Sequence, residues 1–211
     1  MKPSKPLLVV LTLVAASQSY ANFRYGFSQS NYEVLPGEKV DVQVSLIQVE
    51  ANPIDLAVDG IFSAGVQVVF GENAPSDPAV VLELSDISAN PAFDDTLLGE
   101  EKSLTPGSSA YFIDSVDDIF APLTGNEIFL GTFRFTVGNI VGEVTNLRAE
   151  DITPPPSTFT ETVGGDINFS SLDEFISPGF STITVIPEPT AYAALAGMFC
   201  AGLLLLRRRT R

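Results

Sequence analysis

Val40, Val42, Val44 and Leu46 alternate with Asp41, Gln43 and Ser45. A period of two places the apolar set on one face of an extended chain, whereas a helix would scatter it around the axis, so this segment reads as a half-buried strand. Beyond Leu46 the parity changes, with Ile47 and Val49 apolar and Gln48 polar. The strand therefore either ends near Leu46 or carries a bulge there. A second alternation follows, in which Phe129, Phe133, Phe135 and Val137 share a parity around Gly131 and oppose Thr132, Arg134 and Thr136. Phenylalanines on one face of a sheet need a second layer to cover them.

Further strand candidates are Ala64 to Phe70, Val80 to Leu84, Ser109 to Ile113, Glu143 to Ala149, Phe159 to Val163 and Phe180 to Ile186. Clusters of Pro, Gly, Asn and Asp separate them, and no helical stripe of three turns appears between residues 22 and 186. The expectation is an all-β fold, an antiparallel β-sandwich, with a core that closes without disulfides.

Charge narrows the functions. The chain has 11 basic and 26 acidic residues, but Lys2, Lys5, Arg207, Arg208, Arg209 and Arg211 lie near its ends. Residues 22 to 186 therefore carry 5 basic against 25 acidic side chains, a net charge of -20. Such a surface repels phosphate backbones, so nucleic acid is not an expected partner. With no histidine, His-based triads, zinc sites and imidazole acid/base chemistry are excluded. The one cysteine, Cys200, lies in an apolar run near the C-terminus and offers the domain neither a disulfide nor a nucleophile. No cofactor is expected.

The ends carry an address. Residues 1–21 begin with Lys2 and Lys5, continue through the apolar stretch Leu7 to Ala16, and finish with small residues at Ser19 and Ala21. This is the three-part build of a secretory signal peptide, with cleavage expected between Ala21 and Asn22. At the other end, Thr190 to Leu206 is uncharged for 17 residues and is followed by Arg207, Arg208 and Arg209. That length can span a bilayer, and the arginines would remain on the cytoplasmic side and leave the acidic domain outside. Before it, Pro187 and Pro189 fix their own backbone angles and keep the preceding residues extended, so Pro187-Glu188-Pro189 is expected as an accessible strip beside the membrane.

Pro187-Glu188-Pro189, a short apolar helix and a terminal arginine cluster together resemble the PEP-CTERM sorting signal of exported proteins in Gram-negative bacteria that make exopolysaccharide. The resemblance covers residues 187–211 and implies recognition by a membrane-embedded exosortase, which cuts near the tripeptide and releases or transfers the protein to the cell surface or extracellular matrix. A second resemblance concerns the domain. LPGEKVDVQVSL from Leu35, GIFSAGVQVVF from Gly60, PAVVLELSDI from Pro78 and GTFRFTV at Gly131 to Val137 are similar to a cohesin-like domain. This implies a nine-stranded jelly-roll sandwich over residues 22–186. Where the family often has Tyr-Asp-Pro after its second long strand, this chain has Phe70-Gly71-Glu72.

Within the domain, Asp114, Asp117 and Asp118 are the best candidates for calcium because they are expected in one loop after a strand, although no EF-hand pattern is present. The other acidic pairs read as a solvated, repulsive surface. Tyr25, Tyr32 and Tyr111 are the candidate platforms for a sugar, each also a candidate core residue, since tryptophan is absent. Asn168-Phe169-Ser170 matches a glycosylation pattern by chance in a bacterial setting, and Pro154-Pro155-Pro156 reads as a stiff loop. Two functions survive: a non-catalytic surface or matrix protein associated with exopolysaccharide, or a module that recognises a specific protein or glycan.

Overall fold

The computed structural model describes residues 22–50, 54–71, 80–94, 100–118, 121–152, 161–163, 169–172 and 175–189. Their strands form two stacked sheets. In the first, β13 (Ile176–Ser177), β1 (Phe23–Phe27), β3 (Lys39–Gln48) and β9 (Glu127–Val137) lie side by side, and the far edge of β9 takes both β5 (Val80–Val81) and β6 (Ile87–Ala89). The second sheet runs from β7 (Glu101–Thr105) through β8 (Ser109–Ser115), β4 (Ser63–Val69), β10 (Val144–Glu150) and β14 (Gly179–Val185) to β2 (Tyr32–Val34). A short pair, β11 (Glu161–Val163) and β12 (Phe169–Ser171), joins β4 at Ser63.

The expected β-sandwich is present, with one departure from a purely antiparallel pattern. β1 runs parallel to β13, and β2 runs parallel to β14. The N-terminal strands cross from one sheet to the other, and the C-terminal strands cross alongside them, so each sheet has one parallel pair. Described helical structure in the domain includes only one complete short element, the 3-10 turn Leu84–Asp86. That turn and the two-residue β5 replace the single strand expected from Val80 to Leu84.

β3 is longer than its alternation suggested. Val42, Val44 and Leu46 face the core without interruption, and the strand continues to Gln48. The irregularity lies on its partner: the register with β9 shifts between Val44 and Ser45, where Val44 pairs with Gly131 and Ser45 with Phe129. Leu130 is the extra residue of this bulge, and it reverses the facing of β9. Ile128 and Leu130 are consequently buried before the bulge, and Phe133, Phe135 and Val137 after it. Phe129, expected among the inward phenylalanines, is only half-buried. Gln48 caps the 54–56 backbone: its Oε1 accepts from Leu56 N at 2.8 Å and its Nε2 donates to the Ile54 carbonyl at 2.9 Å.

Between the sheets, Phe133 and Phe135 of β9 meet Phe112 of β8 and Phe70 at the end of β4. The Phe70 and Phe135 rings make an edge contact at 5.2 Å, and Phe112 lies 5.7 Å from Phe133. Each fully buried ring contributes about 1.5–3 kcal/mol by removal from water alone.

Candidate functional site

Three groups of residues are candidates: the tyrosines, the acidic residues after β8, and the strip at the C-terminal exit. Tyr25 and Tyr32 are not platforms. Both are buried in the core, where Tyr25 Oη donates to the Gly65 carbonyl at 3.0 Å across the sandwich and Tyr32 Oη shares a 3.0 Å hydrogen bond with Ser28 Oγ. Their sequence positions explain this, because Phe23 and Tyr25 share a parity on β1, and Tyr32 and Val34 share one on β2. Tyr111 is half-buried on β8 and donates its hydroxyl proton to Glu101 Oε1 at 2.9 Å. That hydrogen bond to a carboxylate raises the phenol's pKa above its usual value, with burial and the negative charge of Glu101 adding to the effect, so Tyr111 stays neutral.

The three aspartates do not share a loop. Asp114 lies inside β8 and is buried, two residues from Phe112 and therefore on the same inward face. Its Oδ1 accepts from the Ser115 backbone N–H at 2.8 Å. Asp117 and Asp118 follow the strand and are exposed. Among the described residues no three His, Cys, Asp or Glu side chains are grouped to hold a metal ion.

Asp114 instead helps to line a cleft of about 300 Å³ at the edge of the sandwich, between β6 with its following turn and β7 with β8. Ser88, Asn90, Asp94, Glu100 and Lys102 are also at its walls. Sequence reading missed it because its residues come from three separated stretches, 88–94, 100–102 and 114, with no common spacing. Much of its polarity is already engaged. Lys102 Nζ pairs with Glu100 Oε2 at 2.6 Å, Asn90 Nδ2 donates to the Phe129 carbonyl at 2.8 Å, and Asn90 Oδ1 accepts from Ala92 N at 3.0 Å. Among the described residues the one aromatic at its wall, Phe93, is buried. The cleft can accept a small polar group, but its described residues offer no aromatic face of the kind that holds a sugar ring.

The outer face of β14 carries another feature missed in sequence. Gly179, Ser181, Ile183 and Val185 point inward, which leaves Phe180 71% exposed beside Arg148 of β10, its register partner. Parity within Phe180 to Ile186 was the available signal. Arg148 pairs with Glu150 at 2.8 Å along the same strand.

At the exit, Ile186 N still donates to the Val34 carbonyl at 2.9 Å. Pro187 is half-buried, Glu188 and Pro189 are exposed, and Pro189 has helical backbone geometry. A proline is well placed to open a helix, since its missing N–H would have no partner in the first turn. Asn22 directly precedes β1, and its carbonyl accepts from Val49 N at 2.8 Å. Ala21, Asn168, Cys200, the Pro154 to Pro156 run, Arg207, Arg208 and Arg209 lie outside the described residues. No helix among the described residues is long and apolar enough to cross a membrane.

No protein-family profile matches the chain, and no curated protein does. Solved structures do. The seventh type I cohesin of ScaB from Pseudobacteroides cellulosolvens superposes with a TM-score of 0.53 at 14% identity, covering 79% of this chain and 95% of that one. A cohesin from a cohesin–dockerin complex of Clostridium thermocellum follows with a TM-score of 0.49 at 15% identity, over 78% and 99% of the two chains. The third ScaC cohesin of Acetivibrio cellulolyticus, solved with the ScaB dockerin, has a TM-score of 0.49 at 16% identity, again over 78% and 99%. The described domain is thus a cohesin-like β-sandwich.

Proposed function

We propose that this chain is an exported, non-catalytic surface or extracellular-matrix protein of a Gram-negative bacterium, sorted and processed by an exosortase and associated with exopolysaccharide. The observation that carries the reading is the position of Pro187-Glu188-Pro189. The tripeptide follows β14, the last described strand of the sandwich, after the single residue Ile186, and precedes the uncharged stretch Thr190 to Leu206 and its arginines. A processing enzyme in the membrane would meet an exposed substrate at a depth set by the arginine cluster. Export across the inner membrane is followed by transient anchoring and then release to the cell surface or matrix.

The test is a membrane-fraction immunoblot of wild type, Glu188→Ala and a deletion of Arg207 to Arg209, in hosts with and without an exosortase. Glu188→Ala is expected to leave export and folding intact and to accumulate uncleaved protein in the membrane. The arginine deletion disturbs retention and orientation before processing. Wild type that keeps its C-terminal segment in both hosts would overturn the reading.

A second reading, a module that recognises a specific protein or glycan, is favoured by Phe180. An exposed aromatic on a sheet face beside an arginine is the composition of an interface anchor. Phe180→Ala would abolish binding of such a partner and leave the fold intact.

A further inference from the structure

Three of the exposed aliphatic residues lie together. Ile140 is 62% exposed, Val141 49% and Val144 53%, all at the turn between β9 and β10. The turn is closed by Glu143 N donating to the Ile140 carbonyl at 3.2 Å, and Gly142 adopts φ +89°, so Val141 and Gly142 form its tip with Ile140 and Val144 flanking it. This turn is stitched to the end of the last strand: Gly142 N donates to the Val185 carbonyl at 2.8 Å, and Val185 N to the Glu143 carbonyl at 3.0 Å. The apolar tip therefore stands beside the point at which the chain leaves the domain.

We propose that Ile140, Val141 and Val144 form a docking surface for lipid, which holds the domain against the outer face of the bilayer while the C-terminal segment is in the membrane. The inference rests on the sorting reading, because that reading places Thr190 to Leu206 in the bilayer. The tether decides the geometry. From Ile186, fixed to Val34, to Thr190 is four residues, a reach of at most about 14 Å even if fully extended. The helical geometry of Pro189 shortens it further. The headgroup region on each side of a bilayer is itself about 5–8 Å thick. At full stretch the linker exceeds that layer by only about 6–9 Å, so the end of the sandwich that carries the tip is held within side-chain reach of the headgroups. Apolar side chains there leave water for the boundary of the acyl chains, and loop tips with such residues act as surface anchors. Glu38, Glu143 and Glu188 belong to the same end and disfavour an anionic surface, so the lipid is zwitterionic.

The chain has no tryptophan, which makes a single introduced one a clean reporter. Val141→Trp in the full chain, reconstituted into phosphatidylcholine vesicles, is expected to shift its emission to the blue and to be quenched by lipids brominated near the glycerol end. Val49→Trp, on an exposed position at the opposite end of β3, is expected to do neither. Adding Ile140→Asp to Val141→Trp weakens the quenching. Shielding of Cys200 from a membrane-impermeant maleimide reports the C-terminal segment separately. An unquenched Val141→Trp with Cys200 shielded overturns the docking and leaves the sorting reading standing. Cys200 that reacts equally with and without vesicles overturns both. A blue shift without vesicles that grows with protein concentration assigns the tip to a second copy, and one independent of concentration assigns it to the C-terminal segment; either result overturns lipid as the occupant.

Discussion

Phe112 reaches across the sandwich into the slot that Gly131 leaves open. A β-carbon at Gly131 would stand 2.7 Å from ring atoms Cε1 and Cζ of Phe112 and 2.6 Å from the Ser88 carbonyl oxygen. Gly131 directly follows the extra residue of the β9 bulge and pairs with Val44, so its missing side chain lets the second sheet and β6 both close on β9. Two contacts that shape the core thus meet at a residue with no side chain of its own.

Gly131→Ala is expected to destabilise the domain by about 1–3 kcal/mol through overpacking. Phe112→Leu in the same chain should recover part of the loss, because the ring can retreat and the Ser88 backbone cannot. Urea unfolding of the two single variants and the double variant gives the coupling, and strict additivity would show that the residues do not compete for this space.

Phe133→Ala and Phe135→Ala each empty a site with no solvent exposure. Each is expected to cost about 3–5 kcal/mol. Phe129→Ala, on the other side of the bulge and half-buried, is expected to cost clearly less. Thermal melts of the three variants check the facing of β9 directly, and equal losses at all three positions would contradict it.

The contrast between Phe129 and Phe133 also shows where sequence reading stops. Alternation in β3 was legible because Val42, Val44 and Leu46 keep one parity through the strand. The parity of β9 was not, because a single inserted residue reverses it and phenylalanine on either face looks the same. β7, with the sequence EKSLT, carries two charges and lies at an edge, and β2 and β13 are too short for a period to show. Tyr25 and Tyr32 could have been assigned to the core from their neighbours Phe23 and Val34. The cleft around Asp114 could not, since only folding brings Ser88, Lys102 and Asp114 to one place.

Asp114, Asp117 and Asp118 separate into two kinds of residue, and calcium distinguishes them. A chelator is expected to leave the melting temperature unchanged, and Asp117→Asn likewise. Asp114→Ala is expected to lower stability by about 1–3 kcal/mol with or without chelator, because it removes the buried acceptor of the Ser115 N–H. Differential scanning calorimetry of the three proteins tests this, and a chelator-sensitive wild type would restore the metal site.

Asp41 and Arg134, register partners on β3 and β9, make a two-pronged ion pair in which Arg134 Nη2 donates to Asp41 Oδ2 at 2.9 Å. The hydrogen bonding by Arg134 holds the Asp41 carboxyl below its ordinary value of 3.8; partial burial opposes the shift and the guanidinium charge supports it. A carboxylate whose pKa is lower in the folded state stabilises that state above the unfolded pKa, and the contribution is lost as pH falls through the folded one. Wild type is therefore expected to exceed Asp41→Asn in stability at neutral pH by a constant margin, which begins to shrink near the ordinary carboxylate pKa and vanishes below the depressed one. Both side chains are about half exposed, 52% for Arg134 and 47% for Asp41, so solvent screening keeps the margin small. Added salt is expected to narrow it further at neutral pH, because an exposed pair is screened and a buried one is not. Denaturant midpoints of the two proteins measured across the acid range decide the matter, and a margin that survives below the depressed pKa would mean that Asp41 acts through packing rather than charge.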